Sequence, residues 1–486
     1  MNTLKRYTMA VLALVSVTAC TVGPNFVRPE APHEQQYTAE PLPDLAGAGA
    51  QHIEPRLAVD GDWWTQFGST VLDSTVHQAL NDNRNLAAAQ STLAAAQELL
   101  AARAATQRPQ VSLAAGAGRQ QYGAAFLGPE TFPPFNYYSV GANVSYLLDY
   151  TGGLRRAVEA QGALTEMQAR RLDAAHLALT GHVVLQAIAI ASARAQIHAV
   201  EGILHDDANN VDLVKTALGE GSVAEVDLVS AQSQLAEDQT LLPPLHQDLS
   251  AARHALAVLV GQAPASWSAP EFDLEMFTLP LALPLTPPSE LARRRPDIRA
   301  DEDLLHAATA AIGVATASLY PQINLTASLS QESLTTHTLF DTASTAWGLA
   351  GSLSAPLYNG GRLRAQRRAA IDSTHAALAH YQQTILEAFG QVADVLAALE
   401  HDAEENSAQQ RALDSAELNL KLTRESYSEG NVGILQVLDA ERLTQRARIG
   451  YVRAQAQRMQ DSAELFLALG GDIPAPAEPP PPQKST

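Results

Sequence analysis

Two hydrophobic periods alternate along this chain. Ile323, Leu325, Ala327 and Leu329 are interleaved with Asn324, Thr326, Ser328 and Ser330, a period of two that predicts a strand at about 320–330 with one apolar face. Val111, Leu113, Ala115 and Ala117 repeat the pattern at about 108–118, and segments 137–148 and 347–357 are the expected partner strands. Each is about ten residues, the length of a membrane-spanning strand. The aromatic, Gly- and Pro-rich run from Phe126 to Phe135 suits an exposed hairpin loop.

The second period is helical. Val183, Ile190, Ile197, Leu204, Val211 and Leu218 recur every seventh residue, as do Val392, Leu399, Asn406, Leu413, Leu420 and Tyr427. Heptads sustained this far predict coiled-coil packing. No proline lies between 153 and 217, so one helix roughly 100 Å long is expected there at about 1.5 Å per residue. A Gly-Glu-Gly-Ser turn at 219–222 reverses the chain, and a return helix at 223–261 is expected to kink at Pro243–Pro244. A shorter Ala-rich helix is expected at about 85–106. The later segments 297–318, 361–428 and 433–469 carry the same helical pattern.

These elements are arranged as a tandem duplication. Arg108-Pro-Gln-Val-Ser-Leu113 returns as Tyr320-Pro-Gln-Ile-Asn-Leu325, a shift of 212. Gly152-x-Leu154-Arg155 matches Gly361-x-Leu363-Arg364, and Glu220-Gly-Ser-Val223 matches Glu429-Gly-Asn-Val432, both at 209. The second copy is therefore three residues shorter between its first two motifs, where a surface loop is expected. The expected organisation is a signal peptide at 1–19, an extended lipid-anchored segment at 20–69, a first repeat at 70–262, a linker at 263–286, a second repeat at 287–471 and a Pro-rich flexible tail at 472–486.

Four strands cannot close a barrel. In lipid every backbone N–H and C=O must be paired, and small closed barrels need about eight strands. If the strands enter a membrane the chain must oligomerise; three copies supply twelve strands, although counting alone also admits two.

Charge and cysteine content narrow the function. There are 32 Lys and Arg against 52 Asp and Glu, a formal net charge of -20, which argues against nucleic acid as a partner because phosphate binding needs clustered positive charge. The single cysteine, Cys20, closes no internal disulfide and completes no zinc site. It follows a basic start at Lys5 and Arg6, a short apolar run from Tyr7 to Val17, and the sequence Val17-Thr-Ala-Cys20, which reads as a secretory signal and resembles a bacterial lipobox. Thr21 is not the Asp that signals inner-membrane retention, so outer-membrane anchoring is expected. Removing Lys5 and Arg6 with the signal takes the charge to -22. Beyond the signal no run of about eighteen apolar residues is present, so no transmembrane helix is expected.

The chain resembles the TolC-like outer membrane factor family, of the OprM and NodT type of efflux lipoproteins. The matching stretches are CTVGPNFVRP at 20–29, GDWWTQF at 61–67, RRRPDIRADEDLLHAATAAIGVATASLYPQINL at 293–325, PLYNGGRLR at 356–364 and SEGNVGILQVLDAE at 428–441. The resemblance implies a mixed α+β fold. Duplicated coiled-coil hairpins would form a periplasmic α-barrel, and four transmembrane strands per chain would close a twelve-stranded β-barrel as a homotrimer. It implies an exit duct for drugs or other toxic compounds, partnered by a periplasmic membrane fusion (adaptor) protein and an inner-membrane RND-type pump. It further implies diacylglycerol and N-acyl lipid on Cys20 and a pore constriction at Leu435 and Asp439. Hairpin tips that meet the adaptor would be Gly221, Ser222, Val223, Gly430, Asn431 and Val432. Where some relatives carry a second acid, this chain has Gln436; the first-copy equivalents of these two positions are Asp227 and Ser230.

Plainer roles stand beside these. Asp439 also fits a solvated helical face, Leu435 a coiled-coil seam, and the tip residues a simple chain reversal. The fourteen histidines form no HExxH motif and read as surface residues. Gly152–Gly153 and Gly360–Gly361 mark strand-to-helix turns, Arg293–Arg295 a surface helix end, and Trp63 and Trp64 packing. Two other functions compete: a periplasmic coiled-coil adaptor or scaffold lipoprotein without a pore, and a lipid-anchored enzyme. No nucleophile, metal set, cofactor site or acid–base pair at useful spacing supports an enzyme.

Overall fold

The structure, a computed structural model, describes residues 21–39, 51–55, 57, 59, 61–122 and 133–471. The signal segment, Cys20, most of the expected loop at Phe126–Phe135 and the tail lie outside the described residues. In chain order the elements are β1 (His52–Pro55), α1 (Thr70–Asp82), α2 (Arg84–Ala105), β2 (Gln110–Gln120), β3 (Phe135–Leu148), α3 (Gly153–Gly219), α4 (Glu225–Gln239) and α5 (Leu242–Leu259). They continue with β4 (Ala282–Leu285), α6 (Pro288–Arg294), α7 (Pro296–Ala317), β5 (Gln322–Ser333), β6 (Thr345–Ser354), α8 (Arg362–Ser428) and α9 (Ile434–Ala468). Two compact units result. One takes the described residues up to Pro29 with Thr92–Ala169 and Ala300–Gln382; the other takes Glu30–Ser91, Arg170–Arg299 and the chain from Gln383.

The first unit holds the four-stranded sheet, in the order β2-β3-β5-β6 with every pairing antiparallel. The strand pairs expected within each repeat are present, and β3 with β5 joins the two copies.

In the second unit the long helices pack along a buried line. In α8 Val392, Leu399, Asn406 and Leu413 are all buried, as the heptad predicts, while Tyr427 is exposed. In α3 the expected line holds at Val183, Ile190 and Ile197 and then shifts. Val200, Ile203, Asn210 and Val214 are buried, whereas Leu204 and Val211 are only half-buried. Two successive steps of three residues, from Ile197 to Val200 to Ile203, move the stripe by one position against a strict seven-residue repeat. An 18-residue stretch of α3 reaches a mean hydropathy of 1.6, long and apolar enough to cross a membrane by composition, contrary to the expectation that none exists; half of it is buried within the chain.

The return helix of the first copy divides. α4 ends at Gln239 and α5 begins at Leu242, so the break falls at Thr240–Leu241, ahead of Pro243–Pro244. The prolines occupy the first turn of α5, where a missing N–H costs nothing. The second copy has no proline in this stretch, and α9 runs unbroken for 35 residues.

Trp63 stacks on Phe466 with centroids 5.2 Å apart, Phe67 meets the same ring edge-on, and the Trp64 indole N–H donates to Asp73 at 3.0 Å. Trp63 and Trp64 are therefore core residues. Arg295 departs from the surface role expected of it. It is buried, donating to Asp297 Oδ1 at 3.0 Å, to the Ala468 carbonyl at 3.0 Å and to Gln391. The guanidinium thus caps the C-terminus of α9, where cations are favoured, and ties it to α8. The parallel pair β1–β4 was not foreseen; its four-residue strands include Pro55 and Pro284, which mask any strand signal.

Candidate functional site

The sheet has two chemically distinct faces. Directly paired residues share a face, so the register places Val111, Leu113, Val140, Ala142, Val144 and Tyr146 together on one side. Ile323, Leu325, Ala327 and Leu329 continue it, and Trp347, Leu349 and Leu353 complete it. Trp347, Leu349 and Leu353 are 74%, 76% and 69% exposed. An apolar face this continuous belongs against a partner or lipid, not water. The opposite face carries Ser112, Asn143, Ser145, Asn324, Thr326, Ser328 and Ser352, with Ala, Gly, Tyr137 and Leu147 among them. Both edges, β2 and β6, lack a neighbouring strand among the described residues.

The two hairpin turns are built alike. Gly221 and Gly430 have φ of 75° and 77°, the left-handed conformation that glycine adopts without strain. Ser222 N–H donates to the Ala217 carbonyl at 2.8 Å and Gly221 N–H to Leu218 at 3.0 Å; Asn431 to Ser426 and Gly430 to Tyr427 repeat this at 2.9 Å each. Both are Schellman caps, which satisfy the last carbonyls of α3 and α8. Ser222 and Asn431 are exposed, while Val223 and Val432 are half-buried. After the turns the copies diverge. Asp227 accepts from the Ala224 N–H at 2.9 Å and caps α4, whereas the matching position in α9 is Gln436 and the Gly433 cap has no side-chain bond.

Leu435 and Asp439 lie one turn apart at the start of α9. Leu435 is 44% exposed, and the Asp439 carboxylate pairs with Arg442 one turn on, at 3.2 Å. Both line a cleft of about 220 Å³ with Asp207, Ser230, Gln234 and Arg442, so the first-copy equivalent Ser230 belongs to the same place. Asp227 is not in the cleft lining.

A polar layer that the sequence did not disclose adjoins the cleft, whose lining includes Asp207 and Asn210. Glu441 accepts from Asn210 Nδ2 at 2.8 Å and from Arg424 Nη2 at 2.6 Å, and Gln445 donates to Asp206 at 3.0 Å. Burial, the Asp238 carboxyl, Asp206 and Glu441 push the Asp207 carboxyl up to about 7. Farther along the second hairpin, burial and the Asp461 carboxyl push Asp402 up to about 8, with Glu405 adding to the effect and Arg458 opposing it. Asn210 lies one position off the expected heptad line and Glu441 on a helix given no heptad, so the sequence marks neither as buried.

The outer membrane efflux protein family matches residues 75–262 and 288–471, one segment per repeat. The cation efflux system protein CusC of Escherichia coli is 29% identical over 462 residues, covering 94% of this chain and 96% of that protein. The outer membrane protein OprJ of Pseudomonas aeruginosa is 30% identical over 470 residues, covering 95% of each. Among solved structures the outer-membrane channel OprN superposes with a TM-score of 0.85 at 28% identity, covering 93% of this chain and all of that one.

Proposed function

This chain belongs to the outer membrane efflux protein family, and from that premise we propose that three copies close a twelve-stranded barrel whose helical hairpins continue it as an exit duct. It works in the outer membrane as the channel of an efflux system. The observation that carries the closure is the sheet itself, with one apolar face, one polar face and two edges unpaired among the described residues. Strands cannot leave such edges bare in lipid. In the order β2-β3-β5-β6 the first and last strands run in opposite directions, so β6 of one copy meets β2 of the next antiparallel, and every pairing in the closed ring keeps one pattern.

The remaining roles are those that the family resemblance implies. Leu435 and Asp439 of three copies form the periplasmic constriction, where three carboxylates draw cations and repel one another. The tips at Gly221, Ser222, Val223, Gly430, Asn431 and Val432 meet a periplasmic adaptor, which joins the duct to an inner-membrane RND-type pump. Cys20 carries diacylglycerol and an N-acyl chain as the membrane anchor. Transport through the duct is passive; small molecules such as drugs or other toxic compounds are delivered by the pump.

Native mass of the detergent-extracted protein, followed by conductance in a planar bilayer, tests the reading. A mass of three chains and discrete conductance steps are expected. A monomer without conductance would leave the sheet unclosed and would favour the scaffold lipoprotein.

A further inference from the structure

The segment that follows Cys20 is bound to both repeats through Val22, Gly23, Asn25, Phe26 and Arg28. Val22 N–H donates to the Thr151 carbonyl at 3.0 Å, just beyond the end of β3. The buried guanidinium of Arg156 donates from Nε to the Val22 carbonyl at 3.3 Å and from Nη2 to the Gly23 carbonyl at 3.5 Å and Asn25 Oδ1 at 2.5 Å. Its remaining nitrogen, Nη1, holds Glu159 at 2.7 Å, and the other Glu159 oxygen holds His306 Nε2 at 3.1 Å. Phe26 stacks on the His306 ring at 4.4 Å, and Arg28 Nε meets Glu302 at 2.6 Å. Glycines set the depth of the groove. A Cβ on Gly23 would stand 2.5 Å from the Gly313 Cα, and one on Gly152 would stand 2.9 Å from the Thr21 Cα.

Thr151, Gly152 and Arg156 belong to the first repeat; Glu302, His306 and Gly313 lie on α7 of the second. These two stretches adjoin the ends of β3 and β5, whose pairing joins the repeats. We infer that the groove between the start of α3 and α7 is a docking site for the chain's own segment Thr21–Arg28, with Arg156 as its positioning residue. Docking staples the two repeats together and brings the chain at Thr21 to the rim where β3 and β5 meet. The consequence for the membrane rests on the acylation of Cys20 proposed above: the acyl chains start beside the sheet, not on a loose tether. Arginine suits the task because one planar guanidinium reaches several oxygens at fixed angles; a lysine ammonium offers a single point charge.

Hydrogen–deuterium exchange of the full mature protein in detergent tests the docking, with intact mass read from the same sample. Arg156→Ala is expected to speed exchange of the Val22 amide, whose N–H is bonded to the Thr151 carbonyl, at least tenfold, and Arg156→Lys to fall between it and the parent. Exchange within strands 137–148 and 322–333 is expected to stay unchanged in both. Gly23→Ala places a Cβ against Gly313 of α7 and leaves every residue of α3 unchanged; it is expected to release the same amide, which keeps the test open if Arg156→Ala fails to fold. Unchanged exchange at Val22 in both Arg156→Ala and Gly23→Ala overturns the docking site. A protected segment on a chain whose Cys20 carries no added acyl mass removes the membrane consequence and supports docking on its own.

Discussion

The Asn210 side-chain amide donates to Glu441 Oε2 at 2.8 Å, a bond between hairpins 231 positions apart in the chain. The other oxygen of Glu441 takes Arg424 at 2.6 Å, so one carboxylate ties α3, α8 and α9 together beside the candidate constriction. Asn210 and Glu441 are buried, and removing one partner leaves the other with an unmet hydrogen bond at a cost of about 1–3 kcal/mol.

Glu441→Ala is therefore expected to loosen the start of α9. Hydrogen exchange at residues 434–445 should rise by about five- to a hundredfold, the equivalent of that cost at about 1.4 kcal/mol per tenfold. Asn210→Ala should give a smaller effect, because the Arg424 contact survives. Exchange indistinguishable from the parent in Glu441→Ala would show that the bond contributes nothing to holding the hairpins.

Asp439 presents the opposite case. Its pairing with Arg442 is solvent-exposed, and such pairs contribute about 0–1 kcal/mol. Asp439→Ala should leave the thermal midpoint within measurement error. If three Asp439 side chains ring the pore, the same variant should raise single-channel conductance and lower cation selectivity. A pore unchanged in both respects would place the constriction elsewhere.

The two faces of the sheet predict opposite tolerances on adjacent residues. Leu349 lies on the apolar face and Ala350 on the polar one. A lysine facing lipid near the bilayer midplane costs about 2–4 kcal/mol, whereas lumen positions tolerate charge. Leu349→Lys should sharply reduce the fraction of trimer recovered by extraction, and Ala350→Lys should assemble normally. Equal recovery of the two would contradict the assignment of faces.

How far the sequence discloses this arrangement depends on the range of each signal. The alternation from Ile323 to Leu329 and the heptads through Leu413 were legible because each residue reports its own burial at a fixed spacing. The glycines of the two Schellman turns were legible for the same local reason. Arg295 was misread because its partners, Ala468 and Gln391, lie 173 and 96 positions away, and nothing beside it shows that its charge is buried. The one-position slip of the α3 seam at Val200 is likewise settled by the helices packed against it. Asn210, Arg424 and Glu441 looked like ordinary polar helix residues until the fold brought them to one point.

The carboxyl pairs make stability depend on pH in a direction opposite to that of most acidic groups. Asp402 Oδ2 and Asp207 Oδ2 are buried, each beside a second carboxyl. Asp402 faces Asp461 and Glu405, with Arg458 opposing; Asp207 faces Asp238, Asp206 and Glu441. Their folded values of about 8 and about 7 lie above the ordinary 3.8, so between about pH 4 and these values the folded chain holds protons that the unfolded chain has released. Stability then falls as pH rises through that window and levels off above it. Glu159 runs the other way, since Arg156 and His306 outweigh its burial and hold its carboxyl below the ordinary 4.5, but its contribution is lost only at more acid pH. The thermal midpoint should accordingly decline from pH 5 to pH 8, and the combined Asp207→Asn and Asp402→Asn variant should flatten that decline. A midpoint that rises across this range, or a slope unaltered in the double variant, would mean that neither pair shares a proton in the folded protein.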